Sequence, residues 1–206
     1  MKIIECRQGS TEWFRHRMGV VTASEADALV SPLGKIRTGA GVDTFLYRKV
    51  AEKSLNWSPD ELLGRDPEQG KIVETVARPW FAFEYKVKVR EVGFCLSDDG
   101  TCGFSPDGML PDGSGLELKA PAGPNHIRYL LENKVPDDYV IQLQHSLFVS
   151  QAPYWTFCSY HMVLPPLVLR VEPDPKIQAA LGEALAAFGV RFKESMNRIN
   201  QMRESA

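Results

Sequence analysis

No stretch of the 206-residue chain approaches the run of about 18 apolar residues that spans a bilayer. The opening "MKIIECRQGS" also lacks the apolar core of a signal peptide. A cytoplasmic protein with no membrane partner is therefore expected. Cysteine is scarce: Cys6, Cys95, Cys102 and Cys158 form no CxxC and no Cys/His metal spacing, so reduced thiols are expected. Cys95 and Cys102 are expected on neighbouring strands of a hairpin, without a disulfide. Excess positive charge is missing too. With 24 Lys and Arg against 26 Asp and Glu, the net charge of −2 argues against a generic nucleic-acid coat. It leaves room for an enzyme that gathers its basic residues in one cleft, beside acidic residues that hold metal. Internal repeats, low-complexity tracts and linkers are absent.

What is present alternates between helical and strand periodicity. "GSTEWFRHRMG" predicts a short helix capped by Ser10, and "TASEADALVS" a second, capped from Thr22 or Ser24. A Gly-rich basic loop, "PLGKIRTGAG", precedes the helical "VDTFLYRKVAEKSL". After the breaker "NWSPDELLGRDP", "EQGKIVETVARPWFAFEY" reads as a long helix that Pro79 kinks. "KVKVREVGFCLS", "TCGFSPDGML" and "SGLELKAP" read as strands, the last two joined by the turn "PDGSG". "DYVIQLQHSLFVSQ" is helical, "YWTFCSYH" and "PLVLRVEPD" are strands, and a helix from "PKIQAALGEALAAF" onward closes the chain. The expected fold is α/β (α+β), a central mixed sheet flanked by helices. One domain over 1–206 is expected, with N-terminal helices at 10–56, a core at 66–172 and a C-terminal helix at 175–204.

The stretch "FSPDGMLPDGSGLELKAP" carries the chemistry. Along "LELKAP" alternation puts Glu117 and Lys119 on one face and Leu116, Leu118 and Ala120 on the other. The turn folds Asp107 back beside Glu117. Two adjacent carboxylates need a cation between them, and Mg²⁺ takes oxygen ligands together with phosphate-bearing substrates. Lys119 is then placed to orient or deprotonate water, or to neutralise developing negative charge. The same residues also fit a hairpin carrying a Glu–Lys ion pair.

This stretch resembles the active-site core of the PD-(D/E)xK nucleases: "SPDG", ten residues, then "ELK". Within that superfamily the chain resembles the phage lambda exonuclease and YqaJ-type viral recombinase family. The blocks "QGSTEWFRHRMGVVTASE", "GKIVETVA", the active-site core and "IQLQHSLFV" occur in the family's order. The resemblance implies a restriction-endonuclease-like core with Asp107 and Glu117 as metal ligands, Lys119 as the catalytic lysine, and the Leu118 backbone carbonyl on a metal. Glu74 is implied near the metals, directly or through water, and Gln142 near the attacking water or Lys119. Arg17, Ser24 and Ser105 are implied as a pocket for a 5′-phosphate, a role that Arg and Ser donors suit. Read without the resemblance, Arg17 is equally a solvated helix residue and Ser24 a cap.

The chain departs from the family where DNA is gripped. Beyond the E-x-K strand the segment offers Asn125, His126 and Arg128 in place of the family's arginine. Before the "GKIVE" helix it offers Pro67 in place of an apolar wedge. Lys35, Arg37, Lys49, Arg65 and Arg128 are the expected duplex contacts, whereas His16, His145 and His161 are expected to be non-catalytic.

The resemblance implies a Mg²⁺-dependent 5′-to-3′ exonuclease on linear double-stranded DNA, with one or two metals and Mn²⁺ as a substitute. It would release mononucleotides and leave 3′ single-stranded tails for a phage annealing protein. A ring-shaped homotrimer and a phage or prophage origin are also implied. The rivals are another nuclease of the superfamily, whether endonuclease or end-processing enzyme, and a non-catalytic DNA-end-binding module.

Overall fold

The computed structural model describes residues 1–57 and 72–205. Arg65, Pro67 and the beginning of the expected long helix lie outside that set. The described strands form two four-stranded mixed sheets.

The first sheet runs β1–β3–β4–β2, from β1 (Lys2–Ile4), β2 (Val21–Thr22), β3 (Phe94–Leu96) and β4 (Cys102–Phe104). β3 pairs antiparallel with both β1 and β4, and β2 pairs parallel with β4. The second runs β5–β6–β7–β8, from β5 (Gly108–Met109), β6 (Gly115–Lys119), β7 (Trp155–Ser159) and β8 (Leu167–Val171). Its central pair, β6 and β7, is parallel, and both outer pairs are antiparallel. The expected mixed sheet flanked by helices is therefore present, divided in two.

The division falls inside "TCGFSPDGML", which was expected to be one strand. β4 belongs to the first sheet and β5 to the second, so Ser105, Pro106 and Asp107 are the crossover. Proline supplies no ladder N–H, so a continuous strand through residue 106 would lose a hydrogen bond. The "KVKVREVGFCLS" strand is likewise shorter than expected. Only β3 pairs regularly, and residue 90 makes an isolated bridge to Met109. Val87 and Val89 still turn inward against the core beneath β6, which accounts for their alternation.

Helices cover the sheets. α1 (Thr11–Arg17) starts at Ser10, whose Oγ accepts the Trp13 backbone N–H at 3.2 Å. The expected α-helix after Thr22 is a 3₁₀ helix, Ala23–Ala28. Its three-residue period lines up Ala23, Ala26 and Leu29, which are all buried. α2 (Ala40–Leu55) follows as predicted. The expected kink at Pro79 appears as a π segment, Val73–Ala77, running into α3 (Arg78–Glu84). The proline ring cannot sit against the carbonyl four residues back, and a wider turn relieves the clash.

α4 (Gly123–Glu132) has no counterpart among the expected elements, although Pro124 in its first turn is a helix-start signal. α5 (Asp137–Ser150) and the long α6 (Pro175–Glu204) fall where expected.

The second sheet is a filled layer. Leu116, Leu118 and Cys158 face Ala77 and Phe81 on one side. The opposite side faces α5, through Phe157 and Tyr139 with ring centroids 5.6 Å apart. Each fully buried leucine contributes about 2 kcal/mol of transfer free energy. Gly115 is required in β6 because a Cβ there would lie 2.0 Å from the Trp155 ring.

Candidate active site

β6 is the axis of the site. Leu116 and Leu118 take its apolar face, so alternation turns Glu117 and Lys119 toward α5. Ala120 lies just past the end of the strand and is half-buried. The Glu117 side chain is 4% exposed, and its Oε1 accepts Lys119 Nζ at 2.6 Å and Gln142 Nε2 at 2.5 Å. Lys119 Nζ also lies 4.9 Å above the centre of the Tyr139 ring. Burial works against the Lys119 charge, but Glu117 and Asp107 outweigh it and hold the ammonium above its usual range.

The backbone brings in Asp107. Gly108 pairs with Leu116, so one further step of the antiparallel register sets Asp107 opposite Glu117. Its backbone N–H donates to the Leu116 carbonyl at 3.1 Å, and its Oδ2 accepts the Leu118 N–H at 2.7 Å. The aspartate side chain thus completes the ladder where β5 has ended. Behind it, Arg78 Nε donates to the Asp107 carbonyl at 2.7 Å, and Arg78 NH1 pairs with Glu91 at 3.0 Å. This ties the π segment and α3 to the crossover. A cavity of about 160 Å³ opens between Arg78, Gln8, Glu91 and Asp107.

Glu74 belongs to the π segment, and its side chain is outside the described set. Among the described residues no group of three His, Cys, Asp or Glu side chains is assembled. Asp107 and Glu117 are thus the described carboxylates at this point, both with oxygen donors suited to a hard cation.

Arg17 and Ser105 meet through a third residue. Trp13 Nε1 donates to Ser105 Oγ at 2.7 Å, and the Arg17 guanidinium lies 4.1 Å from the centre of the Trp13 ring. Ser24 is exposed, with its hydroxyl 3.4 Å from that of Thr22. A buried ionic cluster holds the segment between Arg17 and Ser24. Glu25 pairs with Arg48 and Lys49, each at 2.8 Å, and Lys49 reaches Glu52 at 3.0 Å. Glu52 in turn accepts the Gly19 N–H at 3.2 Å, at a turn whose φ of +75° favours glycine. Burial pushes the Glu25 carboxyl up, but Lys49, the Thr22 hydroxyl and Arg48 prevail and lower it.

One expected DNA contact, Lys49, and one candidate for the post-strand position, His126, are corrected by burial. Lys49 is 2% exposed and neutralised by Glu25 and Glu52, so it belongs to the interior, not to a duplex-facing wall. His126 is fully buried, bonded to Ser159 Oγ and the Pro165 carbonyl at 2.8 Å each. Lys35, Arg37, Asn125 and Arg128 are exposed, and Arg65 lies outside the described residues. His145 is buried, with neither ring nitrogen hydrogen-bonded among the described residues.

Trp13, Tyr139 and Arg78 were missed as site residues. Tyr139 had a signal: it precedes Gln142 by one helical turn and therefore shares its face. Trp13 had one as well, four residues before Arg17 on the same helix; Arg78 had none, because its partners are distant in sequence.

The fold is shared with known exonucleases. The alkaline exonuclease LHK-Exo from Laribacter hongkongensis superposes with a TM-score of 0.80 and is 22% identical, covering 95% of this chain and 99% of that one. Its structure in complex with dAMP gives 0.77 at the same identity and coverage. A phage related exonuclease from Haemophilus somnus 129PT gives 0.61 at 11% identity, covering 96% and 97%. The architecture is therefore the expected PD-(D/E)xK type. Residues 12–153 match the model of the YqaJ-like viral recombinase domain, and the chain belongs to that family. No curated protein gives a significant match.

Proposed function

We propose that the chain is a metal-dependent 5′-to-3′ exonuclease on linear double-stranded DNA. The observation that carries this reading is the convergence of Asp107, Glu117, Lys119 and Gln142 on one face of β6. That face holds two carboxylates in register, and Lys119 supplies the compensating charge. Such a concentration of negative charge fits Mg²⁺, with Mn²⁺ as a substitute, because both accept oxygen donors. Asp107, Glu117 and the Leu118 carbonyl would hold one or two ions, with Glu74 as a further acidic residue. When bound, the ion supplies Lewis-acid polarisation of the phosphate and an attacking water of lowered pKa.

The chain's own groups account for the remaining steps. Gln142 fixes the Glu117 carboxylate and can present its amide to a water without adding charge. Lys119 stabilises negative charge developing on the phosphoryl oxygens. Water oxygen bonds to phosphorus and the bond to the 3′-oxygen of the terminal nucleotide breaks. One mononucleotide leaves, and the shortened strand carries a new 5′-phosphate. Arg17, Ser24 and Ser105 receive that phosphate, and Ser105 is only two residues from Asp107 along the crossover. Exposed Lys35, Arg37 and Arg128 attract the duplex electrostatically.

Family membership supports a role in recombination: 3′ tails are substrates for an annealing partner. We extend the reading to a homotrimeric ring, whose channel would retain the strand between cuts. Duplex labelled separately at each end, with and without EDTA, tests the central reading. The expected result is Mg²⁺-dependent release of mononucleotides from 5′ ends. Release from 3′ ends, internal cleavage, or binding without hydrolysis would overturn it.

A further inference from the structure

We infer that Gln8 and Arg78 are positioning residues for the metal-facing oxygen of Asp107, an inference that rests on the assignment of Asp107 as a metal ligand. Pro106 and Asp107 lie in the crossover from β4 to β5, outside the strands of both sheets. A carbonyl withdrawn from water that no strand pairs needs another donor. Two side chains supply it. Gln8 Nε2 donates to the Pro106 carbonyl at 2.8 Å, and Arg78 Nε donates to the Asp107 carbonyl at 2.7 Å. Successive carbonyls of one crossover are therefore clamped from two segments far apart in the chain.

Each donor is itself fixed. The other hydrogen of the Gln8 amide goes to the Val92 carbonyl at 2.9 Å, and Arg78 NH1 pairs with Glu91 at 3.0 Å. Both anchors lie on the segment that enters β3, so two bridges tie the crossover to one neighbouring stretch. Gly93 lets the Gln8 segment come this close, because a Cβ there would lie 2.2 Å from the Cys6 carbonyl. Arg78 also ends the π segment, its backbone N–H donating to the Val73 carbonyl, and so joins the crossover to the segment that carries Glu74. Asp107 is thereby held at three points: its N–H on the Leu116 carbonyl, its carbonyl on Arg78, and its Oδ2 on the Leu118 N–H. Oδ1 enters no hydrogen bond among the described residues, and a hard cation has the right chemistry to take it. Groups that orient a ligating side chain typically change metal affinity by about 10–100-fold.

The two residues differ in charge, which separates positioning from electrostatics. Loss of the Arg78 cation beside Asp107 would by charge alone tighten cation binding, whereas loss of its hydrogen bond weakens it. Gln8 is neutral, so Gln8→Met removes the bonds without altering charge. The test measures Mn²⁺ binding without DNA, from the spin-resonance signal of the free ion, in wild type, Gln8→Met, Arg78→Met and Asp107→Asn. Gln8→Met and Arg78→Met are each expected to raise the Mn²⁺ dissociation constant about tenfold. The Mg²⁺ concentration that gives half-maximal hydrolysis is expected to rise in parallel. Where Arg78→Met does not fold, Arg78→Lys keeps the charge but not the fork, and an intermediate rise is expected.

A role confined to packing would lower the melting temperature without moving the dissociation constant. An unchanged or lowered constant in either variant, with Asp107→Asn impaired, overturns the inference and leaves Asp107 as a ligand. A wild type that binds no Mn²⁺, or binds it no better than Asp107→Asn does, overturns the ligand assignment, and this inference with it.

Discussion

Lys119 Nζ lies 2.6 Å from Glu117 Oε1, and the same carboxylate oxygen accepts Gln142 from the facing helix at 2.5 Å. The ammonium compensates a carboxylate that is almost wholly withdrawn from solvent. On the proposed reading, removing it should affect both chemistry and metal affinity. Lys119→Ala should reduce the rate of linear duplex degradation at least about a hundredfold, within the range for a positioned acid, base or charge stabiliser. Because Glu117 loses its compensating ammonium, Mg²⁺ should raise the melting temperature of Lys119→Ala more than that of wild type. Calorimetry with and without the ion checks this, and equal increments would contradict it.

Asp107 has two separable tasks. Its Oδ2 accepts the Leu118 N–H at 2.7 Å, a bond that an amide oxygen can replace. Asp107→Asn should therefore keep stability close to wild type while losing the charge and the activity. Asp107→Ala also leaves a backbone donor without its partner, at a cost of about 1–3 kcal/mol. Denaturant titration of both variants separates the two tasks.

Lys49 and the loop cations should respond oppositely. Lys49→Met strips the buried Glu25 and Glu52 of their shared cation, and loss of about 3–5 kcal/mol of stability is expected. Lys35→Ala and Arg37→Ala, at exposed positions, should leave stability nearly unchanged. Each should lower the slope of log affinity for DNA against log salt by about 1. Binding isotherms at several salt concentrations distinguish these outcomes.

His145 makes stability acid-sensitive. Burial, only partly opposed by nearby Glu25, pushes its pKa from 6.5 down to about 4. The unfolded chain therefore binds a proton that the folded chain refuses between those values. Stability from this group is present above pH 6.5 and lost as pH falls toward 4, by about 2 kcal/mol between pH 7 and pH 5. Unfolding at both pH values, compared with His145→Phe, should show that much less pH dependence in the variant.

Legibility from sequence followed the range of each interaction. The alternation that sets Glu117 and Lys119 together is local, and so were the turn returning Asp107 and the Ser10 cap. The helical spacing of α2 and α5 was local as well. By contrast, the strand expected through "TCGFSPDGML" satisfied every local rule except Pro106, and its division depended on which sheet each half could join. Lys49 looked like a surface cation because its neighbours on α2 are mixed. Its burial required Glu25, from the 3₁₀ helix, to arrive beside it.

By itself the sequence determined the period-two strand, the helical faces and the identity of the polar groups at the centre, since these depend on neighbours within a turn or a pleat. The tertiary structure alone decided that Trp13 joins Arg17 to Ser105, that Arg78 anchors the Asp107 crossover, and that Lys49 is interior. Each of those outcomes needs segments far apart in the chain to meet, and burial and pairing are properties of that meeting.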